Sequence, residues 1–355
     1  MSLSSAILAG DRLALARLLT QVENDSAEGR SGLAELFSHT GKAHLIGVTG
    51  APGTGKSSLV NQLALHFRKR DNKRVAIVAV DPSSPFTGGA VLGDRVRMRD
   101  LAGDPGVFIR SMASRGSLGG LAHATASIVQ VFDAAGYDIV MIETVGAGQS
   151  EVDIAKLAHT TIVVEAPGLG DDIQAIKAGI LEIADILVIN KADRPGVENT
   201  EKSLKSMLEL AHPMRHVFQH HGTAMSVDIS ANAQHDNVLW LPPIQRTIST
   251  EGIGISELAE LIAKHLAHLR QSGDWTLRDR ARLKVELDAL IQETLTNRFR
   301  ESIPRDHYNE IIEKVIRRHL SPWEAVEMLL DSRSALSSKL QQSGAGEREK
   351  SKRSK

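Results

Sequence analysis

The stretch Gly50-Ala51-Pro52-Gly53-Thr54-Gly55-Lys56-Ser57 follows the apolar run Leu45-Ile46-Gly47-Val48 and opens into Ser58-Leu59-Val60-Asn61-Gln62-Leu63. Strand, glycine-rich loop and helix in that order form a phosphate-binding loop. Its glycines let backbone N–H groups turn onto phosphate oxygens at a helix N-terminus, which favours anions. Lys56 is spaced to reach the β and γ phosphates, and the Ser57 hydroxyl to hold Mg²⁺. Residues 50–58 are therefore expected to bind a nucleoside triphosphate.

The base is indicated farther along, where Ile186-Leu187-Val188-Ile189 ends in Asn190-Lys191-Ala192-Asp193, the pattern N-K-x-D. The Asp193 carboxylate can accept from guanine N1–H and from its exocyclic amine. Adenine offers only an acceptor there and would leave a desolvated charge unpaired. GTP is thus expected over ATP.

Around these two motifs, apolar strands alternate with amphipathic helices from Ala43 to about Arg270, which implies an α/β fold with a mostly parallel sheet covered on both faces. The expected strands are 44–49, 75–80, 107–110, 138–142, 160–165, 185–190 and 244–249. A short helical segment, 1–40, precedes this G domain of 41–272. A helical arm follows over 273–338, and the polar tail 339–355 is expected to be disordered.

Three loops at strand ends carry the residues a GTPase needs near its metal and γ-phosphate. In Asp81-Pro82-Ser83 to Gly93-Asp94-Arg95, Asp81 is assigned to the Mg²⁺ shell and Asp94 to a switch position. In Glu143-Thr144-Val145-Gly146-Ala147-Gly148-Gln149, Glu143 stands where many GTPases have Asp, and the Gly146 N–H suits the γ-phosphate. Ala147 stands where a water-orienting Gln could be, with Gln149 two positions on, so unaided hydrolysis is expected to be slow. In Pro167 to Gly179, a glycine-hinged loop enters a helix capped by Asp171 or Asp172.

Composition bounds the partners. The 355 residues are 42% hydrophobic with a net charge of -1, so no global field draws the chain to nucleic acid or an anionic membrane. Zero cysteines exclude disulfides and thiolate metal sites. No apolar run is long enough for a membrane span, and Met1-Ser2-Leu3-Ser4-Ser5-Ala6 has no secretory layout, so a cytoplasmic protein is expected. His212, His216 and His220 fall at i, i+4 spacing, with His221 and His235 nearby, but no acidic partner is fixed by spacing and a solvated face accounts for them. Arg95, Arg97, Arg99, Arg110 and Arg115 gather in sequence near the switch segments.

Together, T-G-A-P-G-T-G-K-S, D-P-S-S-P-F-T-G-G-A-V-L-G-D-R, I-R-S-M-A-S-R-G-S-L-G-G-L-A, E-T-V-G-A-G-Q-S-E and P-G-L-G-D-D-I-Q-A-I-K-A-G-I closely resemble the MeaB (ArgK) family over roughly residues 40–335. These are GTPase chaperones of adenosylcobalamin-dependent acyl-CoA mutases. The resemblance implies a SIMIBI-type P-loop NTPase fold and a homodimer joined through the arm. It puts Asp81, Asp94 and Glu143 with Ser57 around Mg²⁺, and Asn190, Lys191 and Asp193 on guanine, with Ser249-Thr250 as the last guanine-contacting loop. It makes 166–178 a third switch, in which Asp171, Asp172, Gln174 and Lys177 couple the GTP state to the mutase. An adenosyltransferase is a further implied partner. The cobalamin signature D-x-H-x-x-G is absent, so this chain is not expected to bind cobalamin itself. A nickel-type metal-delivery GTPase and a transport-linked protein kinase are the alternative readings. The missing cysteines weigh against the first, and the lack of a marked phosphoacceptor site against the second.

Overall fold

The computed structural model describes residues 2–82, 98–101, 103–114, 120–144, 156–168, 183–211 and 240–331. In chain order, helices α1 (Leu3–Leu8), α2 (Arg12–Glu23) and α3 (Ala27–Leu36) lead to strand β1 (His44–Thr49) and helix α4 (Lys56–Lys69). Then come β2 (Val75–Pro82), β3 (Val107–Ser114), α5 (Gly120–Ala134), β4 (Ile139–Thr144), β5 (Thr160–Glu165) and β6 (Ile186–Ile189). Helix α6 (Val197–Ala211), β7 (Ile244–Arg246), and helices α7 (Ile255–Ser272), α8 (Asp274–Ser302) and α9 (Arg305–Ile316) complete the set, and residues 322–331 are also helical. The chain divides into two compact units, Met1–Glu286 and Leu287–Lys355.

The first unit is built on a seven-stranded sheet in the order β3-β2-β4-β1-β5-β6-β7, with every described strand pair parallel. Strands β1, β4, β5 and β6 are buried along their whole length. That is why they read in sequence as continuous apolar runs rather than alternations. Alternate side chains feed opposite layers. Ala76, Val78, Val140 and Ile142 pack under α2, α3 and α5 with Leu15, Leu18, Leu36 and Phe132. Ile77, Met141, Ile162 and Val188 pack under α4 and α7 with Leu59, Leu63, Leu258 and Ile262.

The N-terminal helices are therefore an integral layer of the unit. Ser2, Asp11 and Ser26 cap α1, α2 and α3 by accepting from backbone N–H groups in each first turn. Asp133, at the end of α5, accepts from the N–H groups of Gly41, Lys42 and Ala43 and so fixes the entry into β1.

Three expectations are corrected here. Strand β3 runs four residues beyond 110, pairing Asp81 with Ala113 and Pro82 with Ser114, so Asp81 ends a strand rather than opening a loop. Glu143 likewise lies within β4, opposite Val48 of β1 and Ala79 of β2. Strand β7 stops at Arg246, because the chain then turns back in the isolated bridge Ile248–Ile253. The sequence pattern could not mark these ends, since parallel partners, not local alternation, decide how far a ladder extends.

In the second unit, Ile303, Ile311, Ala325 and Leu329 form a small core with Phe299, Val315 and Leu320 against it. Leu287, Leu295, Ile316 and Trp323 are exposed, Trp323 to 75%.

Candidate functional site

The phosphate loop sits where β1, flanked by β4 on one side and β5 on the other, hands over to α4. In open α/β sheets, crevices of this kind beyond the strand C-termini hold ligands. Two glycines are sterically required. At Gly50, φ is +136° and an added Cβ would lie 2.1 Å from the Val164 carbonyl oxygen, so only a bare backbone passes over β5. At Gly55, φ is +92° and an added Cβ would meet the Asn190 amide nitrogen at 2.5 Å. Thr54 is fully buried, and its hydroxyl donates to the Ala51 carbonyl at 3.0 Å. Pro52, Gly53 and Ser58 are exposed.

Lys56 is buried, and its ammonium donates to the carbonyls of Gly50 (2.7 Å) and Ala51 (3.0 Å), which holds it over the loop. Ser57 donates its hydroxyl proton to Glu143 Oε1 at 2.6 Å. The first residue pair expected to share a metal is thus brought together from positions 86 residues apart. A hydroxyl beside a buried carboxylate is a hard-oxygen donor set, which fits Mg²⁺ better than a soft transition metal.

The guanine motif is wired to this loop. Asn190 is buried, and its Nδ2 donates to the Thr54 carbonyl (2.9 Å) while its Oδ1 accepts from Thr247 Oγ1 (3.1 Å), Ser249 N (3.2 Å) and Ser249 Oγ (2.8 Å). Lys191 takes a left-handed φ of +56° and donates to the Gly53 carbonyl at 2.5 Å. Both residues therefore bridge from β6 to the phosphate loop, and Asp193 and Thr250 stand exposed beside them.

Thr247 escaped the sequence reading. Its hydroxyl is buried and completes the acceptor shell of Asn190. The available signal was only its place two residues before Ser249. Glu165, buried at the end of β5, was also missed, because a carboxylate inside an apolar strand carries no motif.

Arg110 is corrected: its guanidinium pairs with Glu23 and bonds Thr20, both on α2, so it anchors the N-terminal layer instead of facing a switch. Of the remaining assignments, Asp94, Gly146, Gln149, Asp171, Asp172, Gln174 and Lys177 lie outside the described residues, as do Arg95, Arg97, Arg115 and the histidines between 212 and 235. The Asp81 side chain is not described either.

A parallel sheet with a lysine-bearing phosphate loop and an N-K-x-D strand end defines a P-loop GTPase. The comparisons agree. Residues 15–303 match the family described as "Methylmalonyl Co-A mutase-associated GTPase MeaB", and the chain belongs to that family. A putative GTPase of Pyrococcus abyssi is 43% identical over 321 residues, covering 90% of this chain and 93% of its own. The GTPase ArgK of Escherichia coli is 36% identical over 268 residues, covering 74% and 75%. A Caenorhabditis elegans protein named "Methylmalonic aciduria type A homolog, mitochondrial" is 29% identical, covering 92% of this chain and 81% of its own. Among solved structures, one titled "Crystal structure of LAO/AO transport system kinase" aligns at a TM-score of 0.64 with 26% identity, over 93% of this chain and 95% of that one.

Proposed function

We propose that this GTPase gates the loading of adenosylcobalamin into an acyl-CoA mutase and protects or reactivates that enzyme. The observation that carries the reading is the Ser57–Glu143 hydrogen bond, which joins the phosphate loop to the strand leading into the run E-T-V-G-A-G-Q-S-E. A change at the γ-phosphate is thereby one residue contact away from a segment able to report it. The family description and the name of the Caenorhabditis relative support a methylmalonyl-CoA mutase as the client class.

In this reading Lys56 and the backbone N–H groups of 50–57 bind and orient the phosphates, and Asn190, Lys191 and Asp193 select guanine. Ser57 and Glu143, with Asp81 and Asp94, would hold Mg²⁺, which supplies charge neutralisation across the β and γ phosphates. Gly146 would donate to the γ-phosphate, and Gln149 is the nearest candidate to orient water. Hydrolysis by the chain alone is slow, and the mutase completes the site.

The arm 273–338 joins two copies of the chain, and the exposed Leu287, Leu295, Ile316 and Trp323 supply apolar surface for that contact. The segment 166–178, with Asp171, Asp172, Gln174 and Lys177, couples nucleotide state to the client, and an adenosyltransferase hands over the cofactor. No helix among the described residues is long and apolar enough to cross a membrane, in keeping with action in the cytoplasm.

Steady-state GTP hydrolysis by the purified chain, alone and with each candidate cobalamin-dependent mutase, tests the proposal. Acceleration by one mutase identifies the client. Unchanged hydrolysis with every mutase would remove the chaperone role and leave the GTPase.

A further inference from the structure

At the end of the sheet opposite the phosphate loop, a buried polar network joins the starts of three strands to the first turns of α8. Arg278 donates to both oxygens of Asp185 (2.9 and 2.8 Å) and to the His159 carbonyl (2.7 Å). Asp185 also accepts from the Thr161 N–H at 2.8 Å, and its own carbonyl accepts from Trp240 Nε1 at 2.8 Å. Asp279 lies 3.1 Å from His159 Nε2 and accepts from Arg282 at 2.9 Å. The Trp275 ring stacks on His159 with centroids 3.8 Å apart.

The hydrogen-bond pattern holds His159 neutral. His159 Nδ1 accepts from the Leu45 N–H at 3.1 Å, so the ring proton is on Nε2, facing Asp279. A second proton would set two donors against each other. His265 Nε2 lies 3.3 Å from Asp185 Oδ1, bent away from good hydrogen-bond geometry. The Thr160 hydroxyl bridges His265 Nδ1 (2.9 Å) and His44 Nε2 (2.7 Å). The hydroxyl can donate to only one of these two rings and accepts from the other. The charged and titratable groups facing this relay are Arg270, Asp274, Arg278, Asp279 and Arg282 from α7 and α8, His268 from α7, and Asp185 from the strand side.

Asp185 is also one end of the path to the guanine motif. It immediately precedes β6, whose four residues are fully buried and end at Asn190. A short strand packed on both faces moves as one piece, so what holds Asp185 also sets where Asn190 meets Thr54 and Ser249.

We propose that this network is a proton-sensitive latch through which the first turns of α8 position β6, so that opening the latch loosens bound guanine nucleotide. Arg278 is the positioning residue at its centre, and His44 and His159 are its sensors. Burial, reinforced by His159, His265 and Arg270, pushes His44 down to about 3. Burial also lowers His159, against the opposing pull of Asp279. Below the ordinary histidine value near 6.5, the closed latch is therefore disfavoured about tenfold per pH unit for each histidine that gains a proton on opening.

The test uses the full-length chain loaded with N-methylanthraniloyl-GDP and Mg²⁺, with nucleotide release read by stopped flow and the latch by Trp275 fluorescence against a Trp275→Phe control. Arg278→Lys keeps the charge but loses the fork that grips Asp185 and the His159 carbonyl. It should speed release roughly three- to tenfold at pH 7.5. Wild-type release and Trp275 emission should change together as pH falls from 6.5 toward 4.5. His159→Gln preserves a donor toward Asp279 and an acceptor toward Leu45 without a titrating proton, so it should fold and respond less to acid. Protonation of the nucleotide itself acts equally on both proteins and cancels in that comparison. Release by Arg278→Lys within twofold of wild type, or an acid response in His159→Gln equal to wild type, would overturn the latch.

Discussion

The two ends of the central sheet solve opposite problems. At the end carrying the phosphate loop, backbone N–H groups, one lysine and the hydroxyl of Ser57 are held ready for a ligand by glycines at Gly50 and Gly55 that no other residue could replace. At the other end, His44, His159, His265, Asp185 and Arg278 are held by the chain's own groups, Thr160, the Leu45 N–H and the Thr161 N–H among them. The lesson is that chemistry facing outward is written in contiguous residues, whereas chemistry facing inward is assembled from residues as far apart as His44 and Asp279.

That contrast is sharpest for Lys56→Ala. Removing the buried ammonium over the phosphate loop should lower kcat/KM for GTP on the order of 10²–10³-fold, read by phosphate release, while thermal stability changes little. A similar loss of GTPase activity from Asp279→Asn at the base would erase the distinction. Next in size, Asp193→Asn should shift preference from GTP toward xanthosine triphosphate by about 10–100-fold in competition binding, because the amide can donate where xanthine presents an oxygen. Unchanged preference would remove Asp193 from base recognition.

Stability should show the reverse ordering. Asp185→Ala removes the buried acceptor of the half-exposed Arg278 fork and of the Thr161 N–H and should cost about 2–4 kcal/mol in urea unfolding. Gly50→Ala, with a Cβ driven into the Val164 carbonyl, should cost roughly 2–4 kcal/mol and also disrupt nucleotide binding. It is the one substitution expected to register at both ends of the comparison.

The smallest effect is a pH slope. His44 binds a proton near 6.5 when unfolded and only near 3 when folded, so the unfolded state gains protons first as pH falls. Stability held above 6.5 is lost progressively toward 3, at about 1.4 kcal/mol per pH unit from this residue. Asp185 adds to the loss at lower pH. Burial would raise it, but the neighbouring His265 ring and the hydrogen bonds from Arg278 bring it down to about 2, so its contribution fades between 3.8 and 2. Urea midpoints across pH 7 to 4 measure the slope, and His44→Asn should flatten it.

Much of the architecture was legible because parallel strands buried on both faces are uninterrupted apolar runs, and all seven expected strands begin within one residue of where they are found. Strand ends were less so. Asp81 and Glu143 are ladder residues, since a neighbour's length, not their own polarity, continues the pairing. In the site, Lys56, Ser57 and Glu143 were named from sequence and found together, as were Asn190 and Ser249. Thr247 was not, because a lone threonine after a short strand has no pattern to distinguish it.

By itself the sequence determined that this is a P-loop GTPase of the MeaB family, because the phosphate-loop and N-K-x-D patterns each lie in one short segment whose spacing is fixed by local strand-end geometry. Only the tertiary structure decided that Asn190 ties the two segments together, that Arg110 belongs to the N-terminal layer, and that the base of the sheet links His44 and His265 through the Thr160 hydroxyl. Those contacts join residues more than 80 positions apart, and hydrogen bonds of that kind are set by the packing of whole elements, which no local pattern of residues encodes.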